Sequence, residues 1–96
     1  MRVRPKGFWV YKVKYRKQVI KFLQGQTKSI REKIIGFFDE IKEDPSTFKT
    51  YDVKAMQGLD NHFRLRISKY RIIFSIKNDI MVVEVIKAKS RGDIYK

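Results

Sequence analysis

The sequence predicts an α+β fold in which an antiparallel sheet carries both helices on one face. The main evidence is the order in which the hydrophobic patterns follow one another along the chain: one strand, two helices, then three strands. A length of 96 residues supports one domain, residues 1–96. A hydrophobic fraction of 43%, with 14% aromatic residues, supplies enough apolar material for one small core.

Alternation between residues 8 and 15 predicts the N-terminal strand, half-buried because polar and apolar side chains point to opposite sides. Residues 16–24 then place apolar side chains at helical spacing, and Gly25 supplies a stop after them. These two patterns predict a strand that leads directly into a short first helix.

A stronger amphipathic pattern follows, with apolar residues at i, i+4, i+7, i+8 and i+11. Ser29 and Glu32 fit a capping box at its start, and Asp44-Pro45 ends it. The two helices are therefore expected to form an αα-hairpin. Residues 46–60 are interpreted as an irregular connection.

Three β segments complete the chain, at residues 62–67, 70–76 and 80–87. Their predicted turns lie at residues 68–69 and at Asn78-Asp79. Together the segments predict a three-stranded antiparallel meander.

A two-residue loop at 68–69 would place Arg64, Arg66 and Arg71 close together on one side of the hairpin. Like charges directly across a ladder destabilise it, by up to about 1 kcal/mol per pair. Glu84 is the only acid of the three strands at a matching position, where it is expected to face Ile73. One glutamate cannot neutralise three arginines, so the cluster is expected to lack acidic compensation. Guanidinium groups bind phosphate in a bidentate manner, so the cluster predicts a phosphate site. The alternative is a solvated sheet face that binds no ligand.

Composition narrows the possible partners. The net charge of +13 favours a polyanion, with nucleic acid first and an acidic protein or an anionic membrane behind it. The alternative is that the charge serves solubility only, or reflects a thermophile-like composition. The residues expected to contact RNA beside the arginine cluster are Lys12, Lys14, His62 and Lys87.

Several kinds of chemistry are excluded by the residues present. The chain has no Cys and one His, which argues against disulfides, thiolate sites and a His-rich metal centre. No paired carboxylates or glycine-rich phosphate loop stand out, and no apolar run reaches the length of a membrane span. No signal-peptide core is expected at the N-terminus.

Arg, Lys and Tyr remain for chemistry, and they suit one reaction well. RNA carries its own nucleophile, the 2′-OH, and its attack on the adjacent phosphate develops negative charge on the phosphoryl oxygens. Preorganised cations stabilise that charge. A tyrosine near positive charge has a lowered pKa and can then take a proton.

Three segments resemble the RelE/ParE toxin superfamily of toxin–antitoxin systems. They are Gln57-Gly58, the paired strands Phe63–Ile67 and Tyr70–Phe74, and the closing run Lys89-Ser90-Arg91-Gly92-Asp93-Ile94-Tyr95. The strand and αα-hairpin before them also match the family layout. The resemblance implies a microbial-ribonuclease-like fold. It further implies either cleavage of mRNA in the ribosomal A site, as in RelE-type members, or inhibition of DNA gyrase, as in ParE-type members.

The resemblance also implies roles for individual residues. Arg64 and Arg66 match basic strand residues, and Arg71 matches the arginine that stabilises the phosphate transition state. Lys89 or Arg91 matches the basic residue that binds phosphate or protonates the leaving group, and Tyr95 matches the tyrosine that takes the 2′-OH proton. Two departures stand out: Ser90 replaces a histidine of many relatives, and arginine replaces lysine at positions 64 and 66.

Together with the residues, this resemblance implies a cytoplasmic, ribosome-dependent endoribonuclease that is held inactive by a cognate antitoxin. Its partners are the antitoxin, the ribosome and mRNA, and it needs no cofactor, metal or membrane. The alternatives are a gyrase inhibitor without nuclease activity and a non-catalytic module that binds RNA or the ribosome.

Overall fold

The computed structural model describes residues 10–90. Within this range there are eight elements, in the order β1 (Lys12–Tyr15), α1 (Lys17–Gln24), α2 (Lys28–Glu43), a short 3-10 helix (Pro45–Thr50), β2 (Val53–Ala55), β3 (His62–Ile67), β4 (Tyr70–Lys77) and β5 (Val82–Ser90). Of the predicted first strand, residues 12–15 are confirmed as β1, residues 10 and 11 precede it without being part of the strand, and residues 8 and 9 lie outside the described residues.

The strands form one sheet in the order β1-β5-β4-β3-β2. β1 pairs with β5 in parallel, and every other pair is antiparallel. The α+β class, the αα-hairpin and the three-stranded meander are thus confirmed. The prediction of an irregular connection over 46–60 was wrong in part, because it contains the 3-10 helix and the edge strand β2. A strand of three residues is too short to show an alternation pattern in the sequence.

The start of α2 also differs from its prediction. Thr27, and not Ser29, is the N-cap: its side chain accepts a hydrogen bond from the backbone N–H of Ile30 at 3.3 Å. Ser29 consequently lies within the first turn, where it cannot cap the helix. The predicted end at Asp44-Pro45 is confirmed, and the Asp44 side chain accepts from Ser46 N–H to begin the 3-10 helix.

The core lies between the helices and one side of the sheet. Phe37 and Phe38 of α2 meet Phe74 of β4 edge-on, with ring centroids 5.6 and 5.2 Å from it, and all three side chains are fully buried. Leu65 and Ile72 of the sheet belong to the same cluster. Alternate residues of β3, β4 and β5 thereby face the helices, and the residues between them face the opposite side.

The registers of the β3–β4 and β4–β5 hairpins determine which residues are neighbours on the side of the sheet opposite the helices. The two-residue loop at 68–69 is confirmed: Ile67 pairs with Tyr70 and Arg66 with Arg71. Ser68 takes a positive φ of 55° and Lys69 does not, so the turn is not of type I′.

The predicted Asn78-Asp79 turn was wrong in length. The loop between β4 and β5 has four residues, and Lys77 pairs with Val82. A bulge then shifts the register between Ile73 and Phe74. Because of the longer loop, and not of the bulge, Glu84 pairs with Ser75 and not with Ile73 as expected.

The edge of β5 that does not pair with β4 is covered by β1 and by the start of α1. Glu84 accepts hydrogen bonds from Arg16 at 2.7 Å and from Lys77 at 3.2 Å, which joins the end of β1 to β4 and β5. Beyond β1, the Gln18 carboxamide of α1 makes two hydrogen bonds to the backbone of Ala88, donating to its carbonyl at 2.8 Å and accepting from its N–H at 2.9 Å. A side chain thus takes the place of a neighbouring strand where β1 has ended.

The buried aromatic contact sets a prediction for stability. Phe74→Ala should lower the free energy of unfolding by about 3–5 kcal/mol, because the ring is lost from a packed core and leaves a cavity. Urea denaturation measures the change. The matched control is Ile80→Ala, since Ile80 is 60% exposed and its loss should change the free energy by no more than about 0.5 kcal/mol. Equal effects of the two changes would contradict this packing.

The Glu84 ion pairs set a prediction for pH. The hydrogen bond from Arg16 is the main cause that lowers the pKa of the Glu84 carboxyl below its ordinary value. A depressed pKa in the folded state stabilises the protein above the unfolded-state pKa, and this stabilisation is lost as the pH falls through the folded-state pKa. Glu84→Gln should therefore be less stable than wild type near pH 6, and the difference should shrink below about pH 4. Thermal unfolding at several pH values would reveal it, whereas parallel stability curves would contradict it.

Candidate nucleic-acid site

Among the described residues, nine basic ones lie on the side of the sheet opposite the helices, which we call the cationic face: Lys12, Lys14, Lys54, Arg64, Arg66, Arg71, Lys77, Lys87 and Lys89. α2, which is acid-leaning over residues 31–44, packs on the other side of the sheet. The described part of the molecule is therefore polarised between a basic side and a helical side.

Three of these cations form the first row, which crosses the middle of the sheet. Arg71 of β4 pairs with Arg66 of β3 on one side and with Lys89 of β5 on the other. Paired residues of neighbouring antiparallel strands have Cα atoms about 4.5–5.5 Å apart and project to the same side. The predicted proximity of Arg66 and Arg71 is thus present in the backbone register, and Lys89 joins them.

The second row lies beside the first, two residues along the strands. Lys54 of β2 pairs with Arg64, which pairs with Ile73, which pairs with Lys87 of β5. Lys54 and Lys87 are exposed, whereas Arg64 and Ile73 are half-buried. In this row Arg64 and Lys87 flank Ile73, and Lys54 lies beyond Arg64 on the edge strand.

Arg71 is the most deeply placed cation, with 5% of its surface exposed, and it is one of two buried polar side chains in the described part of the chain. A strand neighbour on each side fixes its backbone, and Ile72 beside it is buried on the helical side. Because the central strand cannot shift without breaking the core, the backbone of Arg71 is held at a fixed point of the face.

Arg66 is compensated, which corrects the expectation that the cluster lacks acidic partners. Asp52, just before β2, accepts a hydrogen bond from Arg66 Nε at 2.7 Å, and its carbonyl accepts from the Arg66 backbone N–H at 2.9 Å. The sequence concealed this pair because Asp52 lies in the segment interpreted as irregular. Bonding through Nε leaves the outer amino groups of the guanidinium for another anion.

Glu84 does not neutralise the arginines either. It lies on the same side of the sheet but belongs to the opposite end, where Arg16 and Lys77 are its partners. Both acids on or beside the described face are therefore bonded to cations other than Arg64. The Nε of Arg64 is buried and has no hydrogen-bond partner among the described residues.

The residues predicted to contact RNA lie at two places on the face. Lys87 lies in the second row, next to the first. His62, Lys12 and Lys14 share the face but lie toward its far end, and the His62 ring contacts the Asp60 carbonyl through Nδ1 at 2.8 Å. Since His62 is four residues from Arg66 on β3, it lies about 13 Å along the strand from the first row.

Arg91 and Tyr95 lie outside the described residues, so their predicted places at the site stay predictions. The described tyrosines have other surroundings. Burial, with a smaller contribution from Asp39, raises the pKa of Tyr15 to about 12. A hydrogen bond to Glu40 raises the pKa of Tyr51. Tyr70 packs edge-on against Phe22 of α1, on the helical side.

The sequence did not predict that Lys54 and Asp52 belong to the site. Lys54 lies in β2 and Asp52 directly precedes this strand. The only signal was the short run Val53-Lys54-Ala55, in which the charged residue is flanked by apolar ones. No group of three or more His, Asp or Glu side chains within residues 10–90 could hold a metal ion. No helix within residues 10–90 has the length and apolar character needed to cross a membrane.

Comparison with known proteins adds the family. The family model described as the ParE toxin of the type II toxin–antitoxin system parDE matches residues 13–92. RelE1 from Methanocaldococcus jannaschii is 27% identical over 86 residues, which cover 90% of this chain and 96% of that protein.

Solved structures agree with this match. A chain of the archaeal RelE–RelB complex from Pyrococcus horikoshii OT3 is 32% identical, with a TM-score of 0.76, over 86% of this chain and 97% of that one. The isolated RelE toxin of E. coli has the same fold at 19% identity, with a TM-score of 0.69 over 88% of this chain and 90% of that one. The family match spans most of the chain and the Pyrococcus relative shares nearly a third of its residues, so this chain belongs to the RelE/ParE toxin family of type II toxin–antitoxin systems.

Proposed function

We propose that the protein is a ribosome-dependent endoribonuclease that cleaves mRNA in the ribosomal A site and thereby arrests translation. The first row carries the proposal, because Arg66, Arg71 and Lys89 are paired neighbours on three adjacent strands and lie on the same side of the sheet. Two guanidinium groups and one ammonium, held by a rigid sheet, suit a phosphate group whose charge increases during reaction.

The reaction that fits these residues uses the RNA as its own nucleophile. The 2′-oxygen forms a bond to phosphorus while the bond from phosphorus to the 5′-oxygen breaks. The 2′-OH loses its proton to a base, and the departing 5′-oxygen gains a proton from an acid. The products are a 2′,3′-cyclic phosphate and a 5′-hydroxyl, and no water or metal enters the balance.

Roles follow from charge and chemistry. Arg71, with Arg66 and Arg64 near it, stabilises the phosphoryl oxygens, for which a guanidinium is well suited. Lys89 or Arg91 protonates the leaving oxygen or binds phosphate, and Tyr95 takes the 2′-OH proton, as the family resemblance implies. An ammonium gives up a proton more readily than a guanidinium, which favours Lys89 over Arg91 as the acid. Ser90, where many relatives have histidine, adds no group of suitable pKa.

We further propose a cognate antitoxin as the inhibitory partner and the cytoplasm as the location. Relatives of known structure were solved in complexes of RelE with RelB. The net charge of +13 favours an antitoxin with an acidic or amphipathic segment that covers the cationic face or the flanking helices. The ribosome and mRNA, as the proposed substrate complex, place the activity in the cytoplasm.

The direct test is to add the purified protein to a translating extract and map the 5′ ends of the mRNA. Wild type should produce cuts in phase with codons, and only when ribosomes are present. Arg71→Ala should reduce the cleavage rate by about 100-fold, since removing one preorganised donor to a developing oxyanion has an effect of that order. Tyr95→Phe should reduce it as well.

Two further variants keep this test independent of folding. Arg71 is buried, so Lys89→Gln, at a half-buried position of the same row, is measured beside it, with thermal unfolding of each variant. Lys33→Gln on α2 removes the same charge from the helical side and should cleave like wild type. Undiminished cleavage in both Arg71→Ala and Lys89→Gln would refute the assignment of the site.

A second candidate function is inhibition of DNA gyrase without nuclease activity. The description of the matching family model, a ParE toxin, favours it. A supercoiling assay with purified gyrase separates the two candidates: inhibition there with intact mRNA in the extract would select the gyrase inhibitor. Intact mRNA, active gyrase and strongly salt-dependent RNA binding would select a non-catalytic binding module.

A further inference from the structure

Asp52 is bonded to a cation of the first row, and the chemistry proposed above gives it no role. An acid beside a phosphate site repels the anion that the site binds, so its presence there requires a reason. We infer that Asp52 is a positioning residue, whose carboxylate holds the Arg66 guanidinium in the orientation in which its outer amino groups meet the reacting phosphate. This inference deepens the proposed function and rests on it for the identity of the reaction.

Stability alone does not explain this ion pair. The side chains of Arg66 and Asp52 are 44% and 39% exposed, and ion pairs at such positions contribute little to the free energy of unfolding, because water screens them. The carboxylate also lowers the positive potential of the cationic face, which weakens its attraction for a polyanion. What the geometry of the pair does supply is a fixed orientation of the guanidinium.

The contact is made through the inner nitrogen of the guanidinium. Asp52 Oδ2 accepts a hydrogen bond from Arg66 Nε at 2.7 Å. Because the guanidinium is planar and rigid, fixing the direction of Nε–H also fixes the direction of its outer N–H groups. The bond to Asp52 therefore orients the donors that a phosphate needs and leaves them available to it.

Arg66 needs such a contact more than Arg71 does. Arg71 is 5% exposed, so the surrounding chain confines its side chain. Arg66 lies at an exposed position of β3, where a long side chain has many rotamers to choose from. A carboxylate that selects one rotamer before the substrate arrives removes this ordering cost from the reaction.

Asp52 is itself held in place by its neighbours in the chain. Its carbonyl accepts a hydrogen bond from the Arg66 backbone N–H at 2.9 Å, so the same two residues are joined through backbone and side chain. Directly before it, the Tyr51 ring packs edge-on against Phe37 of α2, with ring centroids 4.9 Å apart. Directly after it, β2 begins and pairs with β3. The carboxylate thus projects from backbone that is anchored to the core on one side and to the sheet on the other.

Two variants of equal charge separate orientation from electrostatics. Asp52→Asn keeps an oxygen that can accept from Arg66 Nε, whereas Asp52→Ala removes it, and both keep the backbone hydrogen bond. The cleavage rate is measured on ribosomes stalled on a defined mRNA, with saturating protein. Asp52→Ala should cut about 10-fold more slowly than wild type, since a misplacement of 1 Å can cost up to about 100-fold. Asp52→Asn should stay within about 3-fold of wild type, because a neutral hydrogen bond replaces a charge-assisted one.

A double variant shows whether Asp52 acts through Arg66. Arg66→Ala should lower the cleavage rate by itself, and adding Asp52→Ala should lower it no further, because the side chain to be positioned is absent. Binding of non-cleavable 2′-O-methyl RNA at low salt is measured beside the rate. Asp52→Ala should bind this RNA at least as tightly as wild type, since a negative charge beside the site has been removed. A merely structural role would weaken binding and cleavage together.

The matched control is Asp79→Asn. Asp79 is exposed in the loop between β4 and β5, at the other end of the sheet, and its replacement removes the same charge. This variant should cut like wild type, and thermal unfolding of every variant checks that each is folded. Equal rates for Asp52→Ala and wild type, equal losses in Asp52→Ala and Asp52→Asn, or a further loss in the double variant would each overturn the positioning role.

This outcome is distinguishable from failure of the proposed function. If wild type leaves mRNA intact in the translating extract, the nuclease is refuted and the positioning role is refuted with it. If wild type and Asp52→Ala cut mRNA at the same rate, the positioning role alone is refuted and the nuclease stands.

Discussion

The register of the three central strands is the constraint on which the rest of the structure depends. It sets Arg71 between Arg66 and Lys89, and on the other side of the sheet it sets Phe74 against the aromatic rings of α2. A slip by one residue would exchange the two sides, burying cations against the helices. The core therefore fixes the register, and the register brings the cations together at a cost of up to about 1 kcal/mol for each like-charged pair.

Compensation of charge follows a pattern across the sheet. Asp52 bonds to Arg66 at one edge, and Glu84 bonds to Arg16 and Lys77 toward the other end. The ion pairs thus lie around Arg64, Lys54 and Lys87 rather than among them. Such an arrangement stabilises the strands and the N-terminal edge while leaving positive potential where we propose that RNA binds.

Alternation along β3 and β4 was enough to predict the basic side, because a period of two assigns each side chain to a face. The two-residue loop at 68–69 then fixed Arg66 opposite Arg71, as expected. What the sequence could not predict depends on contacts between distant segments or on irregular pairing. Asp52 and Lys54 reach the site through a strand of three residues, and the four-residue loop between β4 and β5 places Glu84 opposite Ser75. Family resemblance, in contrast, came from short runs of residues and needed no knowledge of the register.

Nuclear magnetic resonance of the labelled protein, titrated with non-cleavable 2′-O-methyl RNA, tests the central claim most directly. The account predicts that the guanidinium Nε–H signals of Arg66 and Arg71 and the backbone amides of residues 87–89 shift together as RNA is added. It also predicts that signals from α2 stay in place. Shifts confined to the helices, with the arginine signals unmoved, would contradict the claim that the cationic face is the site where RNA binds.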